Sequence, residues 1–215
     1  FAIDVGGSSC AVKFNVSIKC WGSTNANGEL GNGTTGNSST TNPIPVNVSR
    51  ISSATTEIAV GGNHSCAILS DGTVQCWGMG SSGQLGDGTN QDRFTPVQAS
   101  ISNVTQITAG DEYTCALNQS GNVFCWGRGT DGRTGLGNWN NTNTPTQIFG
   151  LSGISSVQAM INHTCAKLNN NKLKCWGKGG EKQLGYQESS SQGDRNLPID
   201  VYGGYQFSKY DGSLY

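Results

Sequence analysis

The sequence predicts an all-β fold, a β-propeller of four full blades and the start of a fifth, and three observations carry that prediction. The tripeptide Cys-Trp-Gly recurs at Cys20-Trp21-Gly22, Cys76-Trp77-Gly78, Cys125-Trp126-Gly127 and Cys175-Trp176-Gly177, with offsets of 56, 49 and 50 residues. Around each copy the same order of short-strand and turn signals repeats, and a period near 50 built from short antiparallel strands belongs to propeller blades rather than to helical solenoids. Composition agrees: of 215 residues 32 are Gly and only 13% are charged, which calls for many turns and excludes a coiled coil or helical bundle.

Each repeat opens with an apolar strand ending in Gly, as in Ile58-Ala59-Val60-Gly61-Gly62 and Ile107-Thr108-Ala109-Gly110. Ser or Thr before Cys-Ala then leads into a hairpin. Cys66 and Cys76 are equidistant from Asp71, and Ser70-Asp71-Gly72 reads as a three-residue loop with Gly where a left-handed residue is needed. Gln119-Ser120-Gly121 repeats the pattern, Asn169-Asn170-Asn171 offers Asn in its place, and Phe14-Asn15-Val16 departs from it. Cysteines opposed across such a hairpin have Cα atoms about 4.5 Å apart, within reach of a disulfide. The expected pairs are Cys10–Cys20, Cys66–Cys76, Cys115–Cys125 and Cys165–Cys175, each contributing about 2 to 3 kcal/mol by closing a short loop. Nine intervening residues and two histidines in the chain fit zinc poorly. Disulfides persist in oxidising surroundings, so the reading is extracellular or cell-surface, with reduced core thiols in a cytosolic protein as the alternative. After the hairpin comes a Gly-Leu-Gly element (Gly28-Glu29-Leu30-Gly31, Gly83-Gln84-Leu85-Gly86, Gly135-Leu136-Gly137, Gln183-Leu184-Gly185), and a proline (Pro43, Pro96, Pro145, Pro198) opens the last strand.

The repeats run over 1–55, 56–105, 106–155 and 156–198 of a single propeller segment, with 199–215 as the start of a fifth. Gly61-Gly62-Asn63-His64-Ser65-Cys66-Ala67-Ile68 and Gly83-Gln84-Leu85-Gly86 resemble the Gly-x-x-His-Ser/Thr-x-Ala-Leu strand and Gly-Gln-Leu-Gly element of the regulator of chromosome condensation repeat family. The resemblance covers essentially the whole chain, and it is closest to the secreted, disulfide-bearing branch. Tyr113 replaces His in the third repeat, the first is one residue shorter at that point, and the third lacks Gln before Leu136. The resemblance implies a seven-bladed ring, of which these repeats are a part. Both ends fall within a repeat, so the expectation is a segment of a longer protein, with completion of a partial propeller by another chain as the alternative.

Several functions are excluded by residue chemistry. A net charge of −1 without Lys/Arg clusters denies the chain the basic footprint of a nucleic-acid binder. No apolar run approaches the roughly 20 residues of a membrane-spanning helix, so no membrane insertion is expected. His64 and His163 sit at equivalent repeat positions, which suits a tie between neighbouring blades better than catalysis, needed only once. Asp111-Glu112, the one adjacent acidic pair singled out, would point to opposite faces of a strand. Asp87 to Asp92 lacks the alternating acid pattern of a calcium loop and reads as a polar turn. The chain is read as no enzyme, with no metal and no cofactor.

What remains is binding. Four tryptophans belong to Cys-Trp-Gly and are expected between blades, whereas Trp139 stands in the polar stretch Gly137-Asn138-Trp139-Asn140-Asn141, downstream of Arg128, Asp131 and Arg133. An aromatic with arginine neighbours on a loop is the composition of a recognition site, and aromatics also stack on sugars. Nine Asn-x-Ser/Thr acceptors, at Asn15, Asn32, Asn37, Asn47, Asn63, Asn103, Asn118, Asn140 and Asn162, would carry glycans in a eukaryotic secretory protein. The sequence reading is therefore an extracellular or cell-surface binding or structural module, an adhesion or appendage component. It would recognise protein or glycan through loops and meet further copies or the remaining blades of the same protein. The alternative is a secreted inhibitor of an extracellular enzyme.

Overall fold

A computed structural model describes residues 2–13, 17–36, 41–186 and 193–203. These form four antiparallel four-stranded sheets, each a meander in chain order. The first blade holds β1 (Ile3–Val5), β2 (Ser9–Lys13), β3 (Ser17–Trp21) and β4 (Val46–Asn47). The second holds β5 (Thr55–Val60), β6 (His64–Leu69), β7 (Val74–Gly78) and β8 (Arg93–Gln98). The third holds β9 (Val104–Ala109), β10 (Tyr113–Asn118), β11 (Val123–Gly127) and β12 (Thr142–Gln147). The fourth holds β13 (Ile154–Ala159), β14 (His163–Leu168), β15 (Leu173–Gly177) and β16 (Arg195–Asp200). The first strands β1, β5, β9 and β13 stand side by side along the inner wall, so consecutive blades pack face to face in an arc. The first hairpin tip (Phe14-Asn15-Val16) and most of the expected fifth repeat lie outside the described residues.

The hairpins close as their turn residues require. Gly72 and Gly121 adopt φ of 77° and 76°, and Asn171 takes the same left-handed place at 63°. Cys66 then faces Cys76, Cys115 faces Cys125, Cys165 faces Cys175 and, in the first blade, Cys10 faces Cys20. All four bridges are formed within hairpins, with Cα–Cα distances of 4.1 to 4.2 Å, and no free cysteine is present.

The hydrophobic core is not one mass but three clusters, each between two blades. In one, Cys10, Val12, Ile18 and Leu30 of the first blade meet Ile58, Val60, Ala67 and Trp77 of the second. The indole is the keystone of each: Trp77, Trp126 and Trp176 are fully buried. Their Nε1–H groups donate to the backbone oxygens of Glu29 (3.0 Å), Gln84 (2.9 Å) and Arg133 (3.1 Å) in the preceding blade, so a buried donor is satisfied across the interface. The glycine two residues on from each acceptor is there because the ring lies flat against it: a Cβ on Gly31, Gly86 or Gly135 would come within 2.6 to 2.7 Å of the indole.

Three details of the sequence reading change. The tryptophan bonds show that Arg133-Thr134-Gly135, not Gly135-Leu136-Gly137, is the third copy of the Gln-Leu-Gly element; Leu136 attracts the eye, but Thr134 occupies the fully buried position. Cys20 faces Val46 as Cys76 faces Val97, which makes Pro45, not Pro43, the equivalent of Pro96. Pro96, Pro145 and Pro198 sit inside the outer strand, beside a register shift that removes the need for an N–H, rather than at its start, whereas Pro45 immediately precedes β4. Asp111 and Glu112 lie in the turn between β9 and β10, not on a strand.

Candidate functional site

The inner wall is a candidate by position, since first strands of all four blades line cavities of about 430 and 370 Å³ there. Its polar side chains are already engaged. Asp4 accepts the Val60 N–H (2.7 Å), Glu57 that of Ile107 (3.4 Å), Gln106 that of Val157 (2.9 Å) and Thr108 that of Ala159 (3.0 Å). Each of these groups caps the open edge of the next blade's first strand, which would otherwise present unpaired donors. Burial raises the Glu57 carboxyl above its ordinary value, against the lowering effect of the Ile107 N–H.

Of the two histidines, His64 ties two blades together. His64 is buried, and its Nε2 lies 2.8 Å from Thr114 Oγ1 of the following blade. Thr114 donates its own proton to Gln84 O at 2.9 Å, so Nε2 carries the hydrogen of the His64–Thr114 bond. Burial lowers the imidazole from 6.5 to about 4, which keeps it neutral near pH 7. Tyr113 does the same work one blade on, with its phenol 2.7 Å from His163 O and 2.9 Å from Thr164 Oγ1. Ring size is the only signal that Tyr and His are interchangeable here, both reaching a hydroxyl one blade away.

The loop of the third blade brings some predicted residues together and separates others. Arg128 bonds Glu112 at 2.8 Å and Thr130 at 2.7 Å on the surface, and Glu112 also accepts from Ser82 of the second blade. Asp131 sits at φ 60° in a short 3₁₀ turn and pairs with Arg133. Arg133 itself is 3% exposed, with its guanidinium 5.9 Å from the Tyr113 ring. It stands where the other blades have Glu29, Gln84 and Gln183, whose side chains accept backbone N–H groups two residues earlier. Arg133 makes the matching contact to Asp131 with the polarity reversed, so it braces the interface rather than facing solvent. Trp139 is 48% exposed, on a loop held by Asn138 Oδ1 to Asn140 N–H (2.9 Å) and Asn141 Oδ1 to Gly129 N–H (3.0 Å). Of the glycan acceptors, Asn47, Asn63, Asn103 and Asn140 are exposed, Asn32, Asn118 and Asn162 are half-buried, and Asn15 and Asn37 lie outside the described residues. In the Asp87 turn the carboxylate is taken up by Arg93 (2.6 Å) and Thr89 (2.8 Å). Among the described residues no helix is long and apolar enough to cross a membrane.

Solved structures share this architecture. Human WBSCR16 superposes with a TM-score of 0.82 at 21% identity, over 97% of this chain and 56% of that one. Yeast RCC1 (Prp20), solved bound to Kap60, gives 0.78 at 20% identity over 91% of this chain and 47% of that one. The CRINKLY WD40 ectodomain of the Arabidopsis thaliana receptor kinase ACR4 gives 0.50 at 19% identity over 88% and 52%. At these identities the likeness is one of fold, and the chain spans about half the length of each. The model described as the regulator of chromosome condensation (RCC1) repeat matches residues 20–68, 71–117 and 120–166, each match running from the third strand of one blade into the second strand of the next. With that repeat found three times in register across most of the sequence, the chain belongs to the RCC1 repeat family.

Proposed function

We propose that the chain is an extracellular or cell-surface binding module, an adhesion or appendage component, that recognises protein or glycan through loops held on a disulfide-stapled propeller. The observation that carries this reading is the cystine in every blade: eight cysteines and four bridges within hairpins, each fully formed. Such bonds require an oxidising compartment. Blades so stapled form a rigid base on which loops such as that of Trp139 can be displayed with little ordering cost on binding. The same fold in the ectodomain of a plant receptor kinase supports the compartment.

The test is made on protein from its natural source. Intact cells are treated with a membrane-impermeant biotinylating reagent, and the recovered protein is alkylated without reduction and weighed before and after enzymatic deglycosylation. The expected result is surface labelling, no alkylated thiol and a mass drop at Asn103 or Asn140. Alkylation of the cysteines in the native protein would overturn the reading.

A further inference from the structure

The three blade interfaces provide an internal control. At the outer rim each interface places three side chains in equivalent positions: two residues after the buried Leu or Thr of the Gln-Leu-Gly element, three residues after the outer-strand residue opposite the second cysteine, and one from the following blade's outer strand. Between the first and second blades these are Asn32, Ser49 and Thr95, the last two flanking Gly33. Between the second and third they are Asp87, Ser100 and Thr144. Between the third and fourth they are Leu136, Phe149 and Leu197. Three polar positions become apolar together at one interface, with Phe149 82% and Leu197 53% exposed. Two interfaces of the same build are closed without hydrocarbon at these positions, whereas here Leu136 also packs against the core cluster between the third and fourth blades while Phe149 and Leu197 stay exposed.

The three side chains line a cavity of about 280 Å³ together with Asn138, Asn140, Asn141, Thr142, Thr146 and Gln147. Among the described residues no ionisable side chain lines it. A charged group entering would lose hydration without a counter-charge, whereas an apolar group would be buried against Leu136, Phe149 and Leu197. The volume lies just under that of pockets that take whole small molecules, and it suits one or two side chains. The walls are already fixed by the amide bonds of the loop and by the Gly137 N–H bond to Asn196 O (2.7 Å), which joins the loop to the fourth blade.

We infer that this rim pocket between the third and fourth blades binds an apolar anchor side chain, leucine or phenylalanine in kind, presented by an uncharged segment of a protein partner. The inference rests on the binding reading above and narrows it to a peptide contact, independent of cellular compartment. An exposed apolar cavity rimmed by polar groups is the form a binding hot spot takes.

The test uses the full oxidised chain and a variant that copies the rim of the neighbouring interface, Leu136→Asp, Phe149→Ser and Leu197→Thr together. Both are panned against a displayed random-peptide library and titrated with the enriched synthetic peptides, and both are applied to a glycan array. The expected result is enriched peptides sharing a leucine or phenylalanine without adjacent charges, binding the parent at least tenfold more tightly than the variant, with both titrated below the variant's own melting temperature so that a loss of core contact at Leu136 is not read as a loss of binding. Peptides that bind both proteins equally, enrichment of charged anchors, or a glycan signal lost in the variant would overturn the proposal. Surface labelling plays no part in these readouts, so a protein found inside the cell would sink the compartment and leave the pocket standing.

Discussion

At depth the three blade interfaces share one indole contact, while at the rim one of them differs. Inside, an indole donates to a backbone oxygen of the preceding blade and lies on a glycine at each of Trp77, Trp126 and Trp176. Outside, Asn32, Ser49 and Thr95 or Asp87, Ser100 and Thr144 give way to Leu136, Phe149 and Leu197. Packing density dictates the first set, because a close-packed interior tolerates neither gaps nor additions. Solvent dictates nothing so specific for the second, so that is where repeats can diverge for binding without loss of fold.

The comparison breaks most severely at the indole. Trp126→Ala should destabilise the chain by about 3 to 5 kcal/mol, the range for removing a large buried aromatic, in a chemical-denaturation experiment. A loss below 1 kcal/mol would mean that the blades are held together elsewhere.

The buried imidazole comes next. The folded His64 titrates near 4, below its unfolded value, so between pH 4 and 6.5 the unfolded chain holds a proton that the folded chain does not. Its contribution is fully present above pH 6.5 and is lost as the pH falls toward 4, about 3 kcal/mol in all. Unfolding midpoints at pH 7 and pH 4 for the parent and for His64→Gln should therefore converge at the lower pH. A constant gap between the two proteins would refute the assignment of His64 as a neutral interblade tie.

The cystines come third. Replacing Cys66 and Cys76 together by Ala should cost about 2 to 3 kcal/mol, the loop-closure value for a short hairpin. A loss equal to that of the tryptophan would show that the bridge also shapes the interface, since both cysteines lie in the cluster that receives Trp126.

Periodicity makes the blades legible in the sequence: Cys-Trp-Gly marks the third strand, the Gly or Asn at 72, 121 and 171 marks the hairpin, and the symmetry of each cysteine pair about its turn marks the bridge. These signals are local, set by backbone sterics and turn geometry within about ten residues. The role of His64 was legible because it recurs. The role of Arg133 was not, because an arginine beside a loop reads as exposed, and only the neighbouring blade buries it.

The sequence by itself determined the blade, its staples and the count of repeats, since each depends on residues close in the chain. The tertiary structure decided which groups the interblade residues meet, since those partners lie roughly 50 residues away in the chain. Packing placed Thr134 rather than Leu136 under the indole and left Leu136, Phe149 and Leu197 to meet at the rim. It also shows why Gly61 and Gly110 are glycines: a Cβ there would stand 2.4 and 2.5 Å from the next blade's backbone oxygens.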